Sequence, residues 1–215
     1  MVITWYGQSC FKIQSGETVL ITDPFDKSIG LTPPRGQVNI VTISHHHYDH
    51  DNLEALAAAN PFVIDGPGEY EIKGVNVLGV MTFHDSKEGK ERGVNTAYVI
   101  EMEGIKICHL GDLGQDKLTS QQLEFMNGNG VDILMIPVGG IFTIDGEEAV
   151  DIINQIEPKI VIPMHYKIPG LNIKLDGVET FLKEMGISKK EAVDKLTVKK
   201  KDLPEEETQV VVMKV

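Results

Sequence analysis

Apolar residues along the chain recur in two rhythms, and the switches between them sort its segments into strands and helices. Short apolar or alternating runs bounded by turn residues predict strands. Cys10–Ile13 and Val19–Thr22 flank Ser15-Gly16-Glu17, and Asn95–Met102 and Ile105–His109 flank Glu103-Gly104; both are hairpin patterns. Ile40–Ile43, Val75–Met81, Val131–Ile136 and Ile160–Ile162 predict further strands. Asn52–Ala59, rich in Leu and Ala and ending before Asn60-Pro61, predicts a helix. Thr119 with Gln122, Asp145 with Glu148 and Asp176 with Glu179 have the capping-box spacing of helix starts. Apolar stripes follow them, most clearly Ala149, Ile152, Ile153 and Ile156, then Val178, Phe181, Leu182 and Met185. A short charged helix is expected near Ser188–Lys195, then strands near Leu196–Lys199 and Gln209–Met213. Lys199-Lys200-Lys201 and Glu205-Glu206-Glu207 between those strands read as a solvated loop. Strand pairs joined by hairpins, with helices interspersed, predict sheet packed on sheet with helices outside, an α+β arrangement.

Composition narrows this picture without redirecting it. A chain of 215 residues buries roughly 70% of its unfolded surface on folding, so its core needs no covalent staples. No repeat or low-complexity linker divides it, and residues 1–215 are read as one domain. Hydrophobic residues at 41% and charged residues at 24% exclude a disordered or fibrous chain. No apolar run approaches the roughly 18–20 residues of a membrane span. Met1–Tyr6 has neither the basic lead nor the apolar stretch of a signal peptide, so a cytoplasmic location is expected. The 32 Asp and Glu against 20 Lys and Arg give a formal charge of −12, which argues against nucleic acid as partner. Cys10 and Cys108 are too few for a disulfide framework and read as packed thiols.

The histidines carry the chemistry. Four of the seven, His45, His46, His47 and His50, fall within six residues together with Asp49, between a predicted strand and a predicted helix. In extended backbone His45 and His47 point the same way and can grip one cation. Asp49 and His50, where the chain turns into the helix, can face a second. Imidazole and carboxylate donors suit zinc, and also manganese, iron or nickel. Three more runs end in a candidate donor: Val75–Met81 before His84, Ile105–His109 before Asp112, and Ile160–Ile162 before His165. His46 alternates away from its neighbours. His109 and Cys108 lie within a strand and read as packed residues.

His45-His46-His47-Tyr48-Asp49-His50 resembles the signature of the metallo-β-lactamase superfamily, and Asp23, His84, Asp112 and His165 match the rest of its pattern over residues 2 to about 168. Gly111-Asp112-Leu113-Gly114, Pro137-Val138-Gly139-Gly140 and Ile162-Pro163-Met164-His165-Tyr166 resemble its small branch containing the L-ascorbate-6-phosphate lactonases. The resemblance implies a four-layer αββα sandwich with a dinuclear centre at one edge of the sheets. His45, His47 and His84 would hold one ion, Asp49, His50 and His165 the other, and Asp112 would bridge them. Asp23 would fix the histidine loop from behind. Flavodiiron relatives usually carry a carboxylate where His47 stands, so the pattern favours hydrolysis over oxygen reduction. Two divalent ions, zinc above all, would sharpen a bridging water into hydroxide, with Asp112 holding the ions and Asp49 relaying a proton. The expected substrate is a small-molecule ester, lactone or related compound. A phosphodiesterase or nuclease on the same centre and a non-catalytic metal-binding module are the alternatives. Related lactonases make a homo-oligomer plausible.

Two loops remain open at this level. Ser86–Gly93 is either a lid whose Lys87, Lys90 or Arg92 meets an anionic substrate group or a solvated hairpin tip. Gly139-Gly140 either turns N–H groups on an oxyanion or simply makes a tight turn.

Overall fold

The computed structural model describes residues 1–128 and 130–215. In the first sheet are β1 (Val2–Gly7), β2 (Cys10–Ser15), β3 (Thr18–Thr22), β4 (Ile40–Thr42) and β5 (Phe62–Ile64). In the second are β6 (Gly68–Ile72), β7 (Val75–Phe83), β8 (Val94–Met102), β9 (Ile105–His109), β10 (Ile133–Pro137) and β11 (Ile160–Met164). The short β12 (Leu196–Thr197) then extends the first sheet beside β1, and β13 (Gln209–Val210) extends the second beside β11. Both sheets are mixed: β3, β4 and β5 run parallel, as do β9, β10, β11 and β13, while hairpin neighbours run antiparallel.

Alternation along the strands creates the layers. Ile40 of β4 faces the main core, which also takes Ile3, Trp5 and Phe11 from the first sheet and Ile100, Ile107 and Leu134 from the second. Its neighbour Val41 faces the opposite way, into a second core with Phe25, Ile29, Leu56 and Leu171. The helices α1 (Ser120–Asn127), α2 (Gly146–Ile156) and α3 (Val178–Glu184) contribute Met126, Ile152 and Phe181 to the main core, completing two mixed sheets with flanking helices.

The capping boxes at Thr119 and Asp145 both form. The one expected at Asp176 does not. Asp176 ties two loops together, its N–H to Gly139 and its carbonyl to Lys167, so α3 starts later with Gly177 as its uncapped boundary. Asn52–Ala59 is a 3-10 helix over Leu53–Ala59 and not an α-helix. Ser188–Lys195 is not helical: Val193 bridges Met213 instead, since pairing with the terminal segment satisfies its backbone. The terminal strands are shorter than expected, and the Lys199–Lys201 run is more than solvated loop, because Lys200 pairs with the buried Asp132. Strands β1, β5 and β6 lie outside the expected set; β5 spans only three residues, and β6 carries the exposed Glu69 and Glu71 among its five.

The topology gathers the strand ends that matter. Strands β7 and β9 are both antiparallel to β8, so both end at the same edge of the second sheet, as does the parallel β11. His84, Asp112 and His165 follow those ends directly or within three residues.

Candidate metal centre

The segment after β4 leaves the sheet with Ser44 and carries His45, His47, Asp49 and His50 into the space above those ends. Asp112 Oδ2 is the meeting point. It lies 3.2 Å from His50 Nε2, 3.2 Å from His165 Nε2, 3.6 Å from His84 Nε2 and 4.0 Å from His45 Nε2. On one side of it, His45 Nε2 sits 2.9 Å from His47 Nδ1, and these two rings with His84 keep one donor atom each within 4.8 Å of one another. On the other, Asp49, His50 and His165 do the same, with Asp49 Oδ2 3.5 Å from His50 Nε2. All seven residues singled out from the sequence are therefore brought together. His46 is not among them: it is exposed, with Nδ1 3.3 Å from Asp51.

The donor set fits divalent cations. Five imidazoles and two carboxylates turned on one space are a nitrogen–oxygen set suited to zinc. His50 Nε2 is buried with no hydrogen-bond partner, an expensive state that a cation would relieve.

Electrostatics sort the rings. Burial, with His50 beside it, pushes His45 down to about 3, so this ring is neutral with a lone pair to offer. Burial likewise lowers His84. His50 goes the other way: burial opposes its charge, but Asp112 and Asp49 outweigh burial and raise it well above the ordinary histidine value. Burial alone would raise both carboxyls, yet His165 and His50 hold Asp112 far below its usual range, and His50 holds Asp49 down.

Behind the donors stands a framework of hydrogen bonds. Asp23 receives the Ser44 N–H at 2.7 Å and the Ser44 hydroxyl at 2.7 Å, and pairs with His50 Nδ1 at 3.0 Å. It thereby fixes the loop and aims His50 Nε2 inward, the supporting role expected of it. Ser44 Oγ also meets His45 Nδ1 at 3.0 Å. Sequence reading missed Ser44 and three further members of this framework. Gln8 Nε2 donates to Asp49 Oδ2 at 3.1 Å, and Ser9 Oγ donates to Asp112 Oδ1 at 3.3 Å. Asn95 Oδ1 accepts the Asp112 N–H at 3.0 Å, while its Nδ2 donates to Leu110 and to Thr82. The signal was present: Gln8-Ser9 are polar residues that follow the mostly apolar run Val2–Tyr6, much as His84 and His165 follow theirs. His109 is packed as expected against Phe11, and its ring also bonds the Ser9 carbonyl at 2.8 Å. Both cysteines are free and buried, and burial pushes Cys108 up to about 12.

The glycines are needed for close approach. A Cβ on Gly139 would sit 2.1 Å from the His165 carbonyl oxygen, and Gly111, at φ +56°, would strike Ser44 at 2.5 Å. The Gly140 N–H is bonded to the Ile144 carbonyl, so this segment makes a turn and does not offer that N–H to a ligand.

Such a sandwich, with histidines and aspartates converging at one edge of its sheets, is the metallo-β-lactamase fold. Residues 2–165 match the family model described as the beta-lactamase superfamily domain, and the chain belongs to that superfamily. Within it, the chain is a member of the UPF0173 metal-dependent hydrolase family. It is 31% identical to a UPF0173 metal-dependent hydrolase of Alkaliphilus metalliredigens over 77% of this chain and 85% of that one. A Thermoplasma acidophilum member is 30% identical over 76% of this chain and 82% of its own. The crystal structure of a candidate Zn-dependent hydrolase of the superfamily from Thermotoga maritima superposes with a TM-score of 0.77 at 38% identity, covering 99% of this chain and 97% of that one. No helix among the described residues is long and apolar enough to cross a membrane.

Proposed function

We propose that this hydrolase acts through a dinuclear centre on a small-molecule ester, lactone or related bond. The carrying observation is the position of Asp112 Oδ2, within 4.0 Å of four imidazole Nε2 atoms and between the two donor groups. His45, His47 and His84 would hold one ion, Asp49, His50 and His165 the second, and Asp112 both. Bound divalent ions, zinc by the donor chemistry, would supply Lewis-acid polarisation and a water acidic enough to act near neutral pH. The chain's own residues do the rest. Asp49, steadied by the Gln8 amide, is placed to accept the proton released as water attacks. Asp23 fixes the His50 ring from its Nδ1 side, and Ser9 and Asn95 hold Asp112 in place.

A lactone-type substrate accords with the likeness of Gly111–Gly114, Pro137–Gly140 and Ile162–Tyr166 to the lactonase branch. Metal analysis of protein purified without chelator, paired with a panel of esters, lactones, thioesters and phosphodiesters, tests the reading. The expected result is about two ions per chain and turnover of an ester or lactone. Full metal content with no turnover across the panel would leave a metal-binding module in its place.

A further inference from the structure

Above the donor cluster opens a cavity of about 420 Å³ that includes His47, Asp49, His84, Asp112 and His165 in its lining. Its two carboxylates belong to the donor set. The other charged residues lining it are Arg92 and Lys174, both cationic, in a chain of formal charge −12. Among the described residues neither takes part in an ion pair, whereas Lys87 and Lys90 of the 86–93 loop are paired with Glu91 and Glu88. Of the three loop cations considered from the sequence, only Arg92 reaches the cavity.

Both cations are carried by fixed segments. The Asp85 carboxylate accepts the N–H groups of Lys87, Gly89, Glu91 and Arg92 at 2.8, 3.0, 3.0 and 2.7 Å, which folds the loop around one side chain next to His84. The Arg92 guanidinium then lies over the Phe142 ring, 4.8 Å from its centre. Stacking occupies a face of the guanidinium and leaves its N–H edge for a planar oxyanion. On the other segment, Asn172 donates from its backbone to Ile29 at 2.7 Å and from its side chain to Ser28 at 3.0 Å. Lys167 Nζ binds the carbonyls of Leu171 and Ile173. That clamps the backbone on the N-terminal side of Lys174. Side chains carried on fixed backbone lose less freedom when they meet a ligand than side chains on a mobile loop.

We propose that Arg92 and Lys174 form an anion-recognition subsite beside the donor cluster, so that the substrate is a small ester or lactone carrying a carboxylate or phosphate group away from the scissile bond. The assignment rests on the hydrolase reading above and adds the substrate's charge to it. Asp85 is the positioning residue for Arg92.

The test uses metal-loaded protein and matched p-nitrophenyl esters: the neutral acetate, the succinate half-ester, and an ester whose acyl chain ends in a phosphate monoester. At least one anionic ester is expected to exceed the neutral one about a hundredfold in kcat/KM, mainly through KM, since two cations act on it at about tenfold each, and the arm that gains identifies the group. Arg92→Ala and Lys174→Ala should each cut that ratio about tenfold, the scale of one charge-assisted hydrogen bond. Lys87→Ala should preserve it. Succinate and inorganic phosphate serve as probes that need no turnover: one of them should raise Tm more in the wild type than in the Arg92→Ala/Lys174→Ala double variant. A ratio near one in the wild type, or a ratio that survives the double variant, overturns the subsite while leaving the hydrolase reading intact. If no ester is cleaved, the hydrolase reading falls and the Tm shift decides: equal shifts in wild type and double variant overturn the subsite too.

Discussion

His45, His47, Asp49 and His50 leave the first sheet on one loop, whereas His84, Asp112 and His165 leave the second from three separate strands. The two sets are aimed by different means. Backbone beyond β4 is irregular, so the first set depends on side-chain bonds from Asp23, Ser44 and Gln8. On the second sheet, His84 and His165 are buried with no hydrogen-bond partner at Nδ1, so the strands beneath them set their direction. Only Asp112 there has polar supports, from Ser9 and Asn95. A loop that concentrates donors needs a polar framework, while strands in fixed register can each place one donor without it.

The difference can be broken most severely at the meeting point. Asp112→Ala removes the residue both donor groups share, and hydrolysis should fall on the order of 10³-fold with metal content dropping in parallel, read by elemental analysis and kcat on one preparation. His45→Ala should lose metal and activity together, since its ring belongs to one group and faces Asp112; full activity in that variant would sink the dinuclear proposal. Asp23→Asn tests the framework of the first set. It keeps the size of the side chain but weakens the hold on His50 and Ser44, and metal affinity measured by competition with a chelator should fall about 10–100-fold. Gln8→Ala removes one bond to Asp49 and should cost about tenfold in kcat with the fold retained.

The smallest effect is expected at the opposite end of the second sheet, where Asp132 precedes β10 and binds Lys159 Nζ at 3.0 Å, Lys200 Nζ at 2.6 Å and the Lys106 N–H at 3.0 Å. Burial would raise Asp132, but Lys200, the Lys106 N–H and Lys159 outweigh it and lower the carboxyl below its ordinary value. A lowered carboxyl stabilises fully above its unfolded value of about 3.9, and that stability is lost as pH falls through the folded value. Asp132→Asn should therefore lower Tm by about 3 °C near neutral pH, for about 1 kcal/mol, and the difference from wild type should shrink below about pH 4. Metal content should not change, because this staple lies away from the centre.

Legibility in the sequence follows the same division. The histidine loop is a dense local motif, and nothing but spacing is needed to see it. His84, Asp112 and His165 were visible because each follows an apolar run, although each alone resembles any polar residue past a strand. Gln8, Ser9, Ser44 and Asn95 were missed because Gln, Ser and Asn are ordinary turn residues, and their role exists only through partners as many as 103 positions away. The Asp176 capping box and the Ser188–Lys195 helix failed for a related reason: local propensity was overridden by contacts with Gly139, Lys167 and Met213.

Periodicity and composition by themselves determined that the chain would stack sheets under helices, which donors it could offer and that its surface would be acidic. These are properties of residue type and short spacing, which survive without neighbours. The convergence of the seven donor residues on one space, the choice of Arg92 over Lys87 and Lys90 at the cavity, and the bonds that aim each ring were decided by tertiary structure alone. They depend on distances between segments far apart in the chain, and those are fixed when two cores close on opposite faces of the first sheet.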